Sequence, residues 1–234
     1  MEHETIAVVS DIHANRPALE VVLDDIEDRD IETIFCAGDI IGILGWNEWT
    51  VNTIRDIADQ TVFGNHDARI RSDFAFTPSF PAARDEMALV AEQLNDEHIE
   101  WLSSLPDRIA TDTYILSHSR PVYQRDPGYP FHGFAQGDYG VRPRDFTAYG
   151  SHIGDRVAMM GHTHEQHGLD CSKFPGQSGT MINPGSVGAP WDSDARYATV
   201  NLNTQEYDLH QIEYDNSRVR RRLDDVGLPV GKYD

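Results

Sequence analysis

The sequence predicts an α/β fold, and two observations carry that prediction. Short apolar runs rich in β-branched residues alternate with segments whose apolar residues recur at helical spacing. Alternation of this kind is typical of sheets whose neighbouring strands are joined by helices. The length of 234 residues, 39% of them hydrophobic, suits one domain with a large core. We therefore expect a single domain over residues 1–234.

The first half of the chain supplies the clearest alternation. Residues 5–10 form a short apolar run that predicts a buried strand, and a helix should follow at Arg16, since Pro17 suits a first turn. The later predictions for this half, in chain order, are a strand at 31–37, a helix at 47–58, a strand at 61–63 and helical segments across 81–105.

The second half predicts more strands and one unusual segment. The predicted elements are strands at 111–117, 156–160 and 180–182, antiparallel strands at 197–202 and 206–214, and a polar helix at 216–226. Residues from about 119 to 150 are instead rich in glycine, proline, arginine and aromatic residues, and they lack periodicity. This segment is interpreted as a loop-rich insertion that caps a crevice, or as a loop that packs its aromatic residues on the core. Arg120 and Arg125 in it are candidates for binding phosphate in a substrate.

Composition excludes several classes of protein. The formal net charge of −20 opposes broad contact with a nucleic-acid backbone, although a local arginine patch is compatible with it. Two cysteines, Cys36 and Cys171, are too few for a disulfide framework or a cysteine-rich zinc module. Since the short N-terminus is acidic and no apolar run approaches the ~20 residues of a membrane span, we expect a cytoplasmic protein without a membrane partner. Acidic excess with only two lysines favours a salt-loving organism, with an acidic mesophilic enzyme as the alternative.

Polar side chains recur where the predicted strands end. In chain order they are Asp11 and His13, Asp39, Asn65 and His66, His118, and His162 and His164. In open α/β sheets, ligand sites lie beyond the carboxyl ends of the strands. We therefore expect these five strand ends to direct their side chains into one crevice. His162 and His164 flank one residue, so an extended segment would point both the same way.

This set of side chains has the chemistry of a metal site. Carboxylate and imidazole without thiolate suit manganese, iron, zinc, nickel or cobalt. The set is too large for one catalytic ion that keeps an open position. It suits two ions about 3.5–4 Å apart that share a carboxylate, acidify a bridging water and hold a phosphoryl group for in-line displacement. We expect two divalent cations, with manganese favoured.

The ordered blocks resemble the calcineurin-like metallophosphoesterase superfamily. The blocks are Asp11-x-His13, Gly38-Asp39, Gly64-Asn65-His66-Asp67, His118 and Gly161-His162-x-His164. The likeness is greatest to small prokaryotic phosphodiesterases and phosphatases, through residues 10–15 (SDIHAN) and 183–188 (NPGSVG). The Asp-Arg pair that assists phosphate binding in eukaryotic-type protein phosphatases is absent here.

The resemblance implies a role for each matching residue. Asp11, His13 and His164 would hold the first metal. Asn65, His118 and His162 would hold the second metal, and Asp39 would bridge the two. His66 would contact the phosphate and protonate or stabilise the leaving oxygen. Asp67 would orient a ligand or stabilise a turn, and the residues alone leave both readings open.

The resemblance also implies a fold and a reaction. The fold would be a four-layer α/β/β/α sandwich of two mixed sheets flanked by helices, with the late strands at 197–214 in the second sheet. The reaction would be hydrolysis of phosphodiester bonds in small, nucleotide-like substrates by in-line attack of a metal-bridging hydroxide. The alternatives are a phosphomonoesterase or protein phosphatase, and a non-catalytic binding scaffold with this fold. The oligomeric state, a homo-oligomer included, is left open.

Overall fold

Two five-stranded sheets form the framework of the protein. The computed structural model describes residues 5–70, 81–120, 146–189 and 194–225. The strands are β1 (Thr5–Val9), β2 (Thr33–Cys36), β3 (Gln60–Thr61), β4 (Arg108–Ala110), β5 (Tyr114–Ser117), β6 (Val157–Met159), β7 (His167–Asp170), β8 (Thr180–Asn183), β9 (Ala195–Asn201) and β10 (Tyr207–Ile212). The helices are α1 (Arg16–Asp28), α2 (Asn47–Ile57), α3 (Asn65–Ala68), α4 (Pro81–Gln93), α5 (Asp96–Ser104), α6 (Phe146–Ile153) and α7 (Ser217–Asp225).

Both sheets combine parallel and antiparallel strands: β4 and β7 are antiparallel edges of the second sheet, whereas the first sheet has an antiparallel edge at β10 and a parallel edge at β3. The first sheet has the order β10-β9-β1-β2-β3, and β1 pairs in parallel with β2 through the register Ile6↔Thr33. The second sheet has the order β4-β5-β6-β8-β7, in which β5, β6 and β8 run parallel. Parallel strands end at the same edge of their sheet, so the loops that follow β1, β2 and β3, and those that follow β5, β6 and β8, are brought together.

Alternate residues of the strands fill the layers on either side of each sheet. On β1, Ile6 and Val8 face the second sheet, whereas Ala7 and Val9 face the helices. The inner layer between the sheets includes Phe35, Val62, Leu116, Val157, Met159, Ile182, Ala198 and Val200. Each fully buried valine, leucine, isoleucine or methionine side chain in this layer contributes about 1.5–3 kcal/mol to folding by leaving water. This layer therefore fixes the two sheets face to face.

Helices cover both outer faces, which completes the four-layer α/β/β/α sandwich that was expected. Leu19 and Val22 of α1 and Ile54 of α2 pack on the first sheet. Phe146 and Ile153 of α6 pack on the second sheet. Asn15 caps the N-terminus of α1, because its side-chain oxygen accepts a hydrogen bond from the Ala18 amide at 3.2 Å.

The late strands do not lie where the resemblance placed them. Strands β9 and β10 belong to the first sheet, because β9 pairs antiparallel with β1 through the register Ile6↔Val200. Ala198 and Val200 thereby extend the inner layer beside Ile6 and Val8. The expectation of the second sheet for residues 197–214 was wrong: β1 needs a partner on the side away from β2, and β9 supplies it.

Four of the α-helices and strands given above were not predicted from the sequence. Strands β4 and β7, and the single turn of α3, are short and lack a periodic apolar pattern. Helix α6 occupies the end of the predicted loop-rich insertion and buries Phe146 completely. Residues 121–145, which make up most of that insertion, lie outside the described residues, and so does Arg125.

Among the described residues, none of the helices combines the length and the apolar character needed to cross a bilayer.

Candidate metal centre

The predicted strand-end residues converge at one edge of the sandwich. The loop after β1 carries Asp11 and His13, and the loop after β2 carries Asp39. Asn65 and His66 begin α3, His118 follows β5, and His162 and His164 follow β6. Donor atoms of these residues form three overlapping groups in which each atom lies within 4.8 Å of the others, namely Asp11 with His13 and His164, His13 with Asp39 and His66, and Asp39 with His118 and His162.

The first group, Asp11, His13 and His164, lies in the loops after β1 and β6. His164 Nε2 lies 3.2 Å from Asp11 Oδ1 and 3.2 Å from His13 Nε2. His13 Nε2 lies 4.0 Å from the same Asp11 oxygen. These three donors therefore face one another, with Asp11 completely buried.

The set of donors called the second group from here on, Asn65, His118 and His162, lies at the start of α3 and in the loops after β5 and β6. Asn65 Oδ1 lies 3.2 Å from His118 Nε2 and 2.7 Å from His162 Nδ1. His118 Nδ1 lies 2.7 Å from the carbonyl oxygen of Ala37, so a neutral His118 ring donates from Nδ1 and presents a lone pair at Nε2. This orientation is the one that a metal ligand requires.

Asp39 lies between the two groups. Its Oδ2 is 3.3 Å from His118 Nε2 and 3.9 Å from His13 Nε2. Its Oδ1 accepts a hydrogen bond of 2.8 Å from the backbone N–H of His66. Asp39 is therefore the carboxylate that lies close enough to both groups to bind an ion in each.

The arrangement fits divalent cations. A four-coordinate ion with ligands at about 2.1 Å separates neighbouring ligand atoms by about 3.4 Å. The separations among these donor atoms run from 2.7 to 4.0 Å and bracket that spacing, with those of His164 to Asp11 and His13 at 3.2 Å. Lone pairs that face one another at such distances need a positive charge between them, and either protons or metal ions supply it.

The pKa values of the cluster also show that its carboxylates require positive charge nearby. Burial lowers the pKa of His118, but Asp39 and Asp11 outweigh burial and raise it to about 9. Burial acts to raise the pKa of Asp39, yet His118 and His66 hold it well below its usual range. Burial, together with His66, lowers the pKa of His13 to about 3. The raised pKa values of His118 and His164, both caused by the neighbouring carboxylates against the effect of burial, show that these carboxylates favour positive charge on the imidazoles beside them.

The backbone of the site is held in an uncommon conformation. Positive φ values of 53°, 50° and 54° occur at Asp11, His13 and Asp39, and values of 68° and 58° occur at His162 and His164. Non-glycine residues rarely adopt this left-handed region, and it costs of order 1–3 kcal/mol each. Strain concentrated at five candidate ligands means that the surrounding structure fixes the directions of their side chains.

The segment that carries His162 and His164 is not extended, although an extended segment was expected from the sequence. Both residues have positive φ values, so the segment turns, and the two side chains join different donor groups.

Two glycines allow the ligands to approach. A Cβ at Gly64 would overlap Asp39 Oδ1, and a Cβ at Gly161 would overlap Ser10 Oγ and Asp11 Oδ2. Any side chain at these positions would displace a candidate metal ligand.

Asp67 fixes one loop of the site against another. It is completely buried, and its Oδ1 accepts hydrogen bonds from the amides of Ile40 and Ile41 at 3.0 and 3.1 Å. Its Oδ2 accepts one of 2.8 Å from the amide of Gly64. Asp67 thus ties the segment after Asp39 to the turn that carries Asn65 and His66. The sequence offered two interpretations of Asp67, a residue that stabilises a turn and a residue that orients a ligand. Each describes part of this arrangement.

The segment 183–188, which had no assigned role, supports both ligand loops. Asn183 Nδ2 donates to Gly161 O at 2.8 Å and to Thr163 Oγ1 at 3.0 Å, on either side of His162. Ser186 Oγ donates to the Asp11 carbonyl at 2.8 Å, and the Gly188 amide donates to that carbonyl at 2.9 Å. Gln166 adds a link, since its Nε2 lies 2.8–3.1 Å from the carbonyls of Pro184, Tyr197 and His210.

The structure thus brings together all eight strand-end residues that the sequence singled out. Their separate roles remain predictions, as does substrate binding by Arg120, which is half-buried two residues beyond His118. Sequence reasoning assigned no role to Asn183, Ser186 and Gln166. Only their occurrence in the 183–188 motif gave a signal for the first two.

Known proteins resemble this chain over nearly its whole length. A family model described as the calcineurin-like phosphoesterase superfamily domain matches residues 5–205. An uncharacterized protein of Methanocaldococcus jannaschii is 28% identical over 239 residues, covering 98% of this chain and 96% of that protein. The crystal structure of a metallophosphoesterase from Sphaerobacter thermophilus superposes with a TM-score of 0.72 at 27% identity, covering 97% of this chain and 96% of that one.

A more distant likeness supports the fold. A hypothetical protein from Pyrococcus horikoshii has a TM-score of 0.70 at 19% identity, covering 96% of this chain and 94% of that one. Members of the matching family generally bind two divalent metals. Since the family model spans most of the chain, and the residues of its characteristic blocks converge in one site, the chain belongs to the calcineurin-like phosphoesterase superfamily.

Proposed function

We propose that this protein is a dinuclear metal-dependent phosphodiesterase that hydrolyses small, nucleotide-like substrates. The observation that supports the proposal is the pair of adjoining donor groups that share Asp39, with His66 beside them. Substrates of this size suit a chain with a net charge of −20, which repels an extended phosphate backbone.

Each group would hold one divalent ion. We assign the first ion to Asp11, His13 and His164, the second to Asn65, His118 and His162, and a bridging position to Asp39. Manganese is the ion we favour, and iron, zinc, nickel and cobalt share the preference for these ligands. Two such ions would supply an acidified water as nucleophile and the positive charge that a phosphoryl group needs.

The chain's own residues orient the two carboxylates and supply a hydrogen-bond donor for the leaving oxygen. The Asp39 and Asp11 carboxylates are oriented by backbone amides, Asp39 by that of His66 at 2.8 Å and Asp11 by that of His162 at 2.9 Å. His66 is placed beside the shared carboxylate, and we assign it the leaving oxygen of the ester. The displacement is in line: the new P–O bond forms opposite the bond that breaks.

Hydrolysis of two chromogenic esters tests this proposal. The protein, supplied with manganese at low and at molar salt, is given bis-p-nitrophenyl phosphate and p-nitrophenyl phosphate. We expect faster turnover of the diester, and a loss of about 10²–10⁴-fold in His66→Ala. His152→Ala, at an exposed position in α6, is the control and should keep full activity.

Each other outcome selects an alternative. Preference for the monoester would identify a phosphomonoesterase or protein phosphatase on the same site. No turnover of either ester, by a folded and metal-loaded protein, would favour a non-catalytic scaffold.

A further inference from the structure

An arginine contacts the histidine that we assign to the leaving group. Arg69 caps the C-terminus of the short helix α3, three residues after His66, so both side chains lie on one side of the turn. An Arg69 guanidinium nitrogen lies 3.0 Å from His66 Nδ1. Both residues are half-buried at the edge of the candidate metal centre.

The chemistry of this contact determines where the His66 ring carries its proton. A guanidinium group has five N–H donors and no acceptor, so the His66 nitrogen that it contacts must be the acceptor. A neutral imidazole has one accepting and one donating nitrogen. With Nδ1 accepting from Arg69, the N–H is on Nε2. A carboxylate partner would have the opposite effect, because it would accept a hydrogen bond from Nδ1–H.

The ring itself is held against the metal ligands. Its centroid lies 4.6 Å from that of His13, with the planes at 77°. The His66 backbone N–H donates to Asp39 Oδ1 at 2.8 Å, which fixes the start of the turn. A ring nitrogen of His66 lies within 4.8 Å of donor atoms of His13 and Asp39. A phosphoester bound at the two donor groups would therefore lie within reach of the His66 ring.

We propose that Arg69 is a positioning residue that holds His66 as the Nε2–H tautomer, so that Nε2 donates a hydrogen bond to the leaving oxygen. The inference rests on the proposed function and deepens it. The sequence left two roles for His66, proton donor or stabiliser of the leaving oxygen, and the contact with Arg69 selects the second. The proton stays on Nε2 while the P–O bond breaks and its electron pair remains with the departing oxygen.

A readout independent of activity tests the tautomer directly. Two-bond ¹H–¹⁵N correlation spectra of the histidine rings are recorded on the protein loaded with zinc, a diamagnetic ion. We expect the Nε2–H pattern for His66 in the wild type and in Arg69→Lys, which keeps a donor. Arg69→Met should give a mixture of tautomers. An Nδ1–H pattern in the wild type, or an unchanged Nε2–H pattern in Arg69→Met, would overturn the proposal.

Kinetics then test whether Arg69 acts through His66. We expect Arg69→Met to lower kcat about tenfold with little change in KM, a smaller loss than the 10²–10⁴-fold that a positioned histidine contributes, because the variant keeps the His66 ring. The loss should be larger for phenyl than for p-nitrophenyl esters, since a poorer leaving group depends more on the hydrogen bond. In the His66→Ala background, Arg69→Met should cause no further loss.

Controls separate this role from direct binding of substrate and from unfolding. Arg55→Met, at a surface arginine that donates to Glu97 and Asn52, should leave spectra and kinetics unchanged. A raised KM with unchanged kcat in Arg69→Met, or losses that multiply with those of His66→Ala, would show that Arg69 binds substrate itself. Wild-type protein with the Nε2–H pattern but no turnover would contradict the proposed function and leave the tautomer assignment standing.

Discussion

The residue-scale logic of the site is clearest at Asp67. Both of its carboxylate oxygens accept backbone N–H groups, from Ile40 and Ile41 on one oxygen and from Gly64 on the other. In Asp67→Asn, the amide NH₂ would replace one acceptor and face a backbone donor. We expect unfolding free energy to fall by about 1–3 kcal/mol and metal affinity to weaken, measured by urea unfolding and calorimetry.

A matched substitution gives the control for that prediction. Asp59 Oδ2 also accepts a backbone N–H, that of Ile34 at 3.0 Å, but Asp59 is exposed. Asp59→Asn should lower the free energy of unfolding by less than Asp67→Asn does, and it should leave metal affinity unchanged. Equal effects of the two variants would mean that Asp67 has no special place in the site.

Metal binding should release a proton from His118. Its pKa is raised from 6.5 to about 9 in the metal-free fold, mainly by Asp39 and Asp11 acting against burial. The protonated ring therefore stabilises the metal-free protein fully below pH 6.5, and this contribution is lost as the pH rises through about 9. A metal needs the neutral ring, so affinity should rise with pH across this window by up to about tenfold per unit.

Calorimetry in buffers of different ionisation enthalpy measures the protons released. We expect at least one proton per chain at pH 7, and fewer in His118→Asn. His152→Asn should release as many as the wild type. Affinity that does not change between pH 6.5 and 9 would contradict the assignment of His118 as a ligand.

At the scale of elements, the segment 183–188 determines how the ligand loops are held. Asn183 is fully buried and donates to the backbone on one side of His162 and to Thr163 on the other. Asn183→Asp replaces that donor by an acceptor facing the Gly161 carbonyl. We expect at least tenfold weaker metal binding with a smaller loss of secondary structure, measured by calorimetry and circular dichroism.

Asn201→Asp is the corresponding control. Within the described part of the chain, the Asn201 side chain accepts hydrogen bonds from the amides of Asn203 and Thr204, and an aspartate keeps both acceptors. Its metal affinity should match that of the wild type. If Asn183→Asp also binds metal normally, the supporting role of this segment is wrong.

The elements that the sequence predicted are those with a periodic apolar face. Helices α1 and α2 bury residues at helical spacing, and the centre of each sheet reads as apolar runs. Strand β7 was missed because all four of its residues are only half-buried and its pairing with β8 decides its conformation. The late strands were assigned to the wrong sheet because the choice depends on β9 pairing with β1, about 190 residues away in the chain.

The candidate site divides in the same way. Its candidate metal ligands were predictable from the sequence, since their residue types and their order at the strand ends indicate metal chemistry. The residues that hold those ligands were not, because their function depends on contacts distant in sequence. Asp67 meets Ile40 across 27 positions, and Gln166 meets His210 across 44.

At the scale of the whole molecule, the acidic surface should make stability depend on salt. A net charge of −20 repels itself in the folded state, and salt screens charges separated by more than about 10 Å at 0.1 M and about 3 Å at 1 M. We expect the midpoint of urea unfolding to rise steadily from 0.1 M to molar potassium chloride. An unchanged or falling midpoint would remove the support for a salt-loving source.

The proposed function requires that two divalent ions share Asp39. Anomalous diffraction from crystals grown with manganese tests it most directly. We expect two anomalous peaks per chain, one among Asp11, His13 and His164 and one among Asn65, His118 and His162, with Asp39 touching both. A single peak, or a second peak ligated by His66 in place of Asn65, would contradict it.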